Sequence, residues 1–338
     1  MSKAKFVVEA ASFSRRRFLQ NTSTLIAAPT LLGSGSANAA PVTFKLGHSG
    51  SQEWQGNRWA KNFSDALIET IPDAKVEIYP NAQLGQDPAL AQAVKLGTLD
   101  ITVNGPVLQQ YVPSLAVMDL PFLFRTLADA HKWQDGSVGA KIKADCEAAG
   151  FHFLGWIDIG MRSVTNNRRP IDTVADFKGL KLRVPPGKIF VNTFQALGAS
   201  VQSINFGELY TALQQGVVDG QENPPTTIRV QKYYEVQKYL SLTRHIASFA
   251  FSVMNKSAYD RQPDSTRRAI DAAGTVATTK GREFLAQDED ASLDFLRKQG
   301  MTVNEAKDIS GFRSATRPVI DEAGTVLAPL IKEIFAAG

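Results

Sequence analysis

Two arginines stand where strands end, and both could grip an anion. Arg162 follows Gly160-Met161 beyond the apolar stretch Phe151 to Ile157, and Arg183 closes the short strand-like run Leu180 to Val184 just before Pro185-Pro186-Gly187. Ligands of open α/β sheets bind at strand ends. A guanidinium suits a carboxylate there, because its planar fork gives two parallel charge-assisted hydrogen bonds that fix orientation as well as supplying attraction. The competing reading is that each arginine pairs with a surface acid in an ordinary structural ion pair.

Other chemistries find little footing. His48, His131, His152 and His245 are far apart, with no Cys pair or His-x-x-x-His beside them, so nothing calls for a metal. Asp288, Glu289, Asp290 and Asp294 lack the loop glycine and terminal Glu of a calcium hand and read as a solvated acidic helix face. Cys146 is the only cysteine, which excludes an intrachain disulfide. Its neighbours Asp145 and Glu147 would raise a thiol pKa, so a small buried hydrophobe is expected rather than a nucleophile. No Gly-x-Ser-x-Gly elbow, phosphate loop or dinucleotide fingerprint follows a predicted strand, and no cofactor is expected.

The elements that must position the arginines follow a strand-helix-strand rhythm. Phe44 and Leu46, then Val76 and Ile78, then Leu99, Ile101 and Val103 mark three strands. Asp87-Pro88 offers an N-cap and an N1 proline to a helix over Ala89 to Leu96 that Gly97 ends. A strand from Phe151 to Ile157 leads to Arg162, and the turn formers Asn166 to Pro170 follow. A helix is predicted over Ile189 to Leu197 and another over Phe206 to Gln215, then a long amphipathic run from Pro224-Pro225 through Tyr239. The alternation Phe249, Phe251, Val253 reads as a return strand, and Asp264 to Gln299 as packing helices with weak points at Gly274 and Gly281.

The first forty residues differ from the rest. Ser14-Arg15-Arg16-Arg17-Phe18-Leu19 precedes the apolar stretch Leu25 to Leu32 and then Ala37-Asn38-Ala39, which reads as an export signal over 1–39, twin-arginine in type or an ordinary secretory one. Those residues carry Lys3, Lys5, Arg15, Arg16 and Arg17 against Glu9, leaving 32 basic and 32 acidic residues in the remainder. The formal charge of +4 therefore belongs to the signal, and no nucleic-acid partner is implied. The 338 residues suffice for two lobes, each with its own core.

Three runs carry a resemblance: Asp176-Phe177-Lys178-Gly179-Leu180-Lys181-Leu182-Arg183-Val184-Pro185, Ala212-Leu213-Gln214-Gln215-Gly216 through Gln221-Glu222-Asn223-Pro224, and Tyr234 to Leu240. With Gln83-Leu84-Gly85, Gly97-Thr98-Leu99-Asp100 and Asp119 to Phe124, the chain resembles the solute-binding proteins of tripartite ATP-independent periplasmic (TRAP) transporters, dicarboxylate-binding type. The resemblance implies an α/β, two-lobed periplasmic binding protein, type II-like, with hinge strands and bridging helices. The expected division is 40–161 plus 249–288 for lobe I and 162–248 plus 289–338 for lobe II. By position in the motifs, Arg183 resembles the principal carboxylate-binding arginine, Arg162 the second cation, Asn223 a polar partner and Phe206 the aromatic wall. Ser49, His48, Asp87 and Asn104 fall where the family contacts the ligand's far end.

The implied function is binding without catalysis: a periplasmic, monomeric protein captures a small organic acid and delivers it to TRAP membrane permease subunits. Polar groups at Asn104, Ser49, His48 and Asp87 favour a sugar acid, with a dicarboxylate or other carboxylate second. An exported enzyme and a ligand-sensing input module are the alternatives.

Overall fold

The computed structural model describes residues 42–336. Among them nine strands make one sheet: β1 (Thr43–Gly47), β2 (Lys75–Tyr79), β3 (Ile101–Asn104), β4 (Phe151–Asn166), β5 (Lys181–Val184), β6 (Ser200–Ser203), β7 (Gly220–Asn223), β8 (Tyr239–Asn255) and β9 (Thr302–Glu305). Their order is β2-β1-β3-β8-β4-β7-β5-β6, with β9 parallel to β8. The export signal expected over 1–39 lies outside the described residues.

The helices are α1 (Gln55–Thr70), α2 (Asp87–Leu96), α3 (Leu127–Gln134), α4 (Ser137–Ala148), α5 (Lys188–Ala196), α6 (Leu209–Gln214), α7 (Pro225–Val230), α8 (Lys256–Asp260), α9 (Asp264–Lys298), α10 (Ile309–Asp321) and α11 (Ala328–Ala336). α1 carries the chain between the parallel strands β1 and β2 and buries Trp59, Ala60, Phe63 and Leu67, the spacing of one helix face. α2 has a proline in its first turn and stops at Gly97, whose φ of 77° is left-handed.

Two strands hold the sheet together. β4 and β8 are 16 and 17 residues long and pair antiparallel from Phe151↔Asn255 to Asn166↔Tyr239. The register slips at Phe153/Gly155, Asp158/Gly160 and Arg162/Val164. Such bulges bend a strand and re-aim its side chains, and here they lie on either side of Arg162.

Side chains at opposite ends of these strands enter different cores. Near β1 and β3, alternate residues of β8 face two apolar clusters: Phe249, Phe251 and Val253 join Leu115, while Ala250 and Met254 join Leu46 and Trp59. Near β5 and β7, Val164 and Ile246 pack with Leu182 and Phe190, and Leu240 and Leu242 pack with Leu213 and Ile228. The chain thus forms two lobes on one mixed sheet, each end of which is covered on both faces.

Three elements differ from the sequence-based expectation. The run after Pro225 is not one long helix, since α7 ends at Val230 and Lys232 turns at φ 59°. The stretch from Asp264 is a single helix of 35 residues, about 52 Å long at 1.5 Å per residue. Its Ala273 and Ala277 pack with Trp59, whereas Leu293 and Leu296 pack with Leu213, so it bridges both ends of the sheet. The division expected after Asp288 falls inside this helix, and Leu330 and Ile334 of α11 pack in the cluster of Leu115 and Phe251. Third, Asp288 does not simply face water: both its oxygens accept from Arg229 Nη2 at 2.8 and 2.7 Å, which ties α7 to α9.

Candidate functional site

Where β4 and β8 pass each other, several chain segments converge on one cavity. The turn after β1 contributes Ser49 and Trp54, the first turn of α2 contributes Asp87, and the end of β5 contributes Arg183 and Pro185. Phe206 opens the short turn that precedes α6. Ile159 and Arg162 come from β4, Asn223 from β7, and Ser248, Phe249 and Ala250 from β8. Gly105 and Pro106 complete the wall.

Arg183 is fully buried. Its Nε and Nη2 donate to the Ile204 carbonyl at 2.8 and 2.6 Å, while Nη1 has no hydrogen-bond partner among the described residues. Burial pushes the guanidinium down to about 10, against the pull of Tyr233, Glu222 and Asp87, so it stays charged at neutral pH. One edge of a buried cation is therefore held by the protein and the other is left to something else. An unpaired buried donor costs roughly 1–3 kcal/mol, more when charged, which a ligand carboxylate would relieve.

Arg162 is engaged differently. Its Nε and Nη2 grip the carboxylate of Glu222, Nη2 to Oε1 at 2.7 Å, and Nη1 donates to Ser248 Oγ at 3.0 Å. The guanidinium also lies over the Phe190 ring, 5.0 Å from its centroid. Burial alone would raise the Glu222 carboxyl, but the Arg162 charge and the hydrogen bonds from His245 and Arg162 outweigh it and hold it below its ordinary range. His245 Nε2 lies 3.0 Å from Glu222 Oε2. The structural alternative weighed for an isolated arginine therefore applies in part to Arg162, with a buried acid in place of a surface one.

Asp87 Oδ1 accepts from Ser49 Oγ at 2.5 Å. Burial pushes this carboxyl up to about 6, while the Ser49 hydrogen bond and the Arg183 charge work in the other direction. Asn223 Nδ2 donates to Gln221 Oε1 at 2.5 Å. Trp54 and Phe206 meet at 5.6 Å between centroids and form an aromatic wall.

Six of the eight residues singled out in the sequence line this cavity: Arg183, Arg162, Asn223, Phe206, Asp87 and Ser49. Asn104 and His48 stand behind it. Asn104 Nδ2 donates to the Asp87 carbonyl at 2.8 Å and its Oδ1 accepts from the Gly105 amide at 2.9 Å, which fixes the start of α2 and the cavity rim. His48 packs behind Trp54 at 5.5 Å, with Nε2 3.1 Å from Asn57 Oδ1, and burial pushes it down to about 4. Trp54, Ser248 and Phe249 were missed. Trp54 lies within the same post-strand segment as Ser49, so the strand-end rule could have found it; the β8 pair needed the register with β4.

Among the described residues no group of His, Cys, Asp and Glu is arranged to hold a metal ion, and no helix is long and apolar enough to cross a membrane. Cys146 is buried, and desolvation pushes its thiol up to about 12, beyond the reach of thiolate chemistry.

The model for "Bacterial extracellular solute-binding protein, family 7" matches residues 46–325. An uncharacterized protein of Sinorhizobium fredii is 37% identical over 91% of the chain, which spans 57% of that longer relative. The 2,3-diketo-L-gulonate-binding periplasmic protein of Escherichia coli is 33% identical, over 83% of this chain and 86% of its own length. Among solved structures, a TRAP periplasmic solute-binding protein from a Polaromonas species, bound to D-erythronate, superposes with a TM-score of 0.84 and 33% identity. The alignment covers 87% of this chain and 98% of that one.

Proposed function

The chain belongs to the bacterial extracellular solute-binding proteins of family 7, and from that membership we propose that it captures a sugar acid by its carboxylate on Arg183. The family consists of ligand-binding transport proteins rather than enzymes. The observation that carries the reading is the unpaired Nη1 of a fully buried arginine in the wall of a cavity between two lobes. Relatives that bind 2,3-diketo-L-gulonate and D-erythronate support the choice of acid.

The open protein takes the carboxylate onto Arg183. The lobes then turn about the middle of β4 and β8, close to Asp158–Arg162 and its partners on β8, with α9 as a third link. Closure brings Asn223 and Ser248 against the ligand's hydroxyls and shuts Trp54 and Phe206 over its carbon chain. Arg162, held by Glu222, keeps Ser248 in place through its Nη1. Residues 1–39 act as an export signal with a twin-arginine start, the mature chain works in the periplasm as a monomer, and TRAP permease subunits receive its ligand.

Isothermal titration of the mature protein with four- to six-carbon aldonates and uronates tests the capture step. Arg183→Ala is expected to weaken binding by about 30-fold to several thousand-fold, matching the ~2–5 kcal/mol cost of removing one partner of a desolvated charge pair. Circular dichroism controls for folding. An Arg183→Ala protein that folds and binds the acid unchanged would falsify the reading.

A further inference from the structure

We infer that the cavity accepts acids with a single carboxylate and several hydroxyls, and that Asp87, held by Ser49, turns away those that carry a second carboxylate. The inference rests on the capture of one carboxylate by Arg183 and adds what the rest of the cavity demands.

The count of available cations comes first. Among the described residues, Arg162 and Arg183 are the only basic side chains in the cavity wall. Arg162 has its Nε and Nη2 on the Glu222 carboxylate and its Nη1 on Ser248, so Glu222 already neutralises it. Of these two arginines, only Arg183 has a nitrogen without a hydrogen-bond partner among the described residues. One carboxylate uses that nitrogen, and a second would find no free cation.

Asp87 then makes the second carboxylate unwelcome. Its Oδ1 is taken by the Ser49 hydroxyl, and Oδ2 receives no hydrogen bond from the described residues although the side chain lines the cavity. An ionised carboxylate is an acceptor only, so that oxygen calls for a ligand hydroxyl as donor. A ligand carboxylate in the same small space has no proton to offer, and two like charges sharing a desolvated site repel or force a proton onto one of them. Asp87 cannot easily retreat. Pro88 fixes the start of α2, Asn104 holds the Asp87 carbonyl at 2.8 Å, and Ser49 holds the side chain at 2.5 Å.

Matched pairs of acids isolate the effect, because an aldonate and its aldarate differ only at the terminal carbon, CH2OH in one and carboxylate in the other. D-erythronate against meso-tartrate tests four carbons, and galactonate against galactarate tests six. Titration calorimetry on the mature protein is expected to give a preference for the aldonate of about 100-fold or more in at least one pair. Asp87→Asn is expected to weaken the aldonate about tenfold and to bring the preference below about tenfold, and Ser49→Ala to move it partway. Melting temperatures report whether the variants fold. Equal affinity for both members in each pair, a wild-type protein that binds no aldonate, or an Asp87→Asn protein that folds and keeps the full preference overturns the inference. Arg183→Ala separates the two readings: loss of every acid upholds capture whatever the preference, whereas retained binding in that variant defeats capture while leaving the aldonate–aldarate comparison readable.

Discussion

A buried guanidinium with one edge satisfied by the main chain and one edge left over is the feature on which recognition turns. Arg183 was legible because the sequence stops its strand with two prolines, and strand ends face the ligand crevice. The fate of Arg162 was not legible. Its partner Glu222 lies 60 positions away, and only the antiparallel register that sets Val164 opposite Glu222 brings the two together. His48 belongs to the same class of surprise, since a histidine after a strand looks like a contact and is instead a neutral support behind Trp54. Burial holds it near pH 4, below the 6.5 of the unfolded chain. Between those values the unfolded chain binds the extra proton, so the contribution of His48 to stability is complete above about 6.5 and drains away as the pH falls towards 4. Asp87 and Asp119, pushed up to about 6 and about 7, act in the opposite sense over an overlapping range, so the bulk pH profile blurs them together. A difference measurement separates them. Urea unfolding of wild type and His48→Gln is expected to show the wild type losing on the order of 3 kcal/mol relative to the variant between pH 7 and pH 4. A stability difference that stays flat over that range would mean that His48 is not buried as a neutral ring.

At the scale of elements, the strand-helix rhythm was readable wherever caps and periodicity agreed, as in α2 with its proline start and glycine stop. Reading failed where tertiary contacts overrule local preference. β4 and β8 run on well past the predicted strands because each is the other's partner along its whole length, bulges included. α9 runs unbroken through two glycines that looked like weak points. They are there for different reasons. A Cβ on Gly274 would lie 2.2 Å from the Leu154 carbonyl oxygen, so that residue lets the helix approach β4 closely, whereas a Cβ on Gly281 would meet nothing within 4 Å. Gly281→Ala is therefore expected to stabilise the protein by about 1 kcal/mol, the helix-propensity gain alone. Gly274→Ala should forfeit that gain and more, because helix and strand must separate to admit a methyl group. Thermal unfolding of the two variants should move in opposite directions, and parallel shifts would show that the close packing of α9 on β4 is wrong.

At the scale of the whole molecule, two lobes followed from chain length and from the motifs, but the contacts between them could not, because they join residues from distant segments. Pro106 after β3 and Gly187 after β5 come together at the cavity rim, where a Cβ on Gly187 would lie 2.9 Å from the Pro106 Cβ. Gly187 has an extended backbone, φ −165°, that any residue can adopt, so its lack of a side chain matters for this approach and not for its own conformation. Both partners are stiff: Pro106 is a ring at the start of a turn, and Gly187 precedes α5. A methyl group there would hold the two sides apart when they close, and once they part it would meet only the edge of the Phe190 ring, 3.2 Å away on its own side. The apparent dissociation constant scales inversely with the fraction of molecules able to close, so a closure made harder by about 1.4 kcal/mol weakens binding about tenfold. Gly187→Ala is thus expected to lose affinity for the acid by roughly that factor while the melting temperature without ligand stays within about 2 °C of wild type. Small-angle scattering should find the variant needing correspondingly more ligand to reach the compact form. If Gly187→Ala instead binds as tightly as wild type, the contact between Pro106 and Gly187 plays no part in closure.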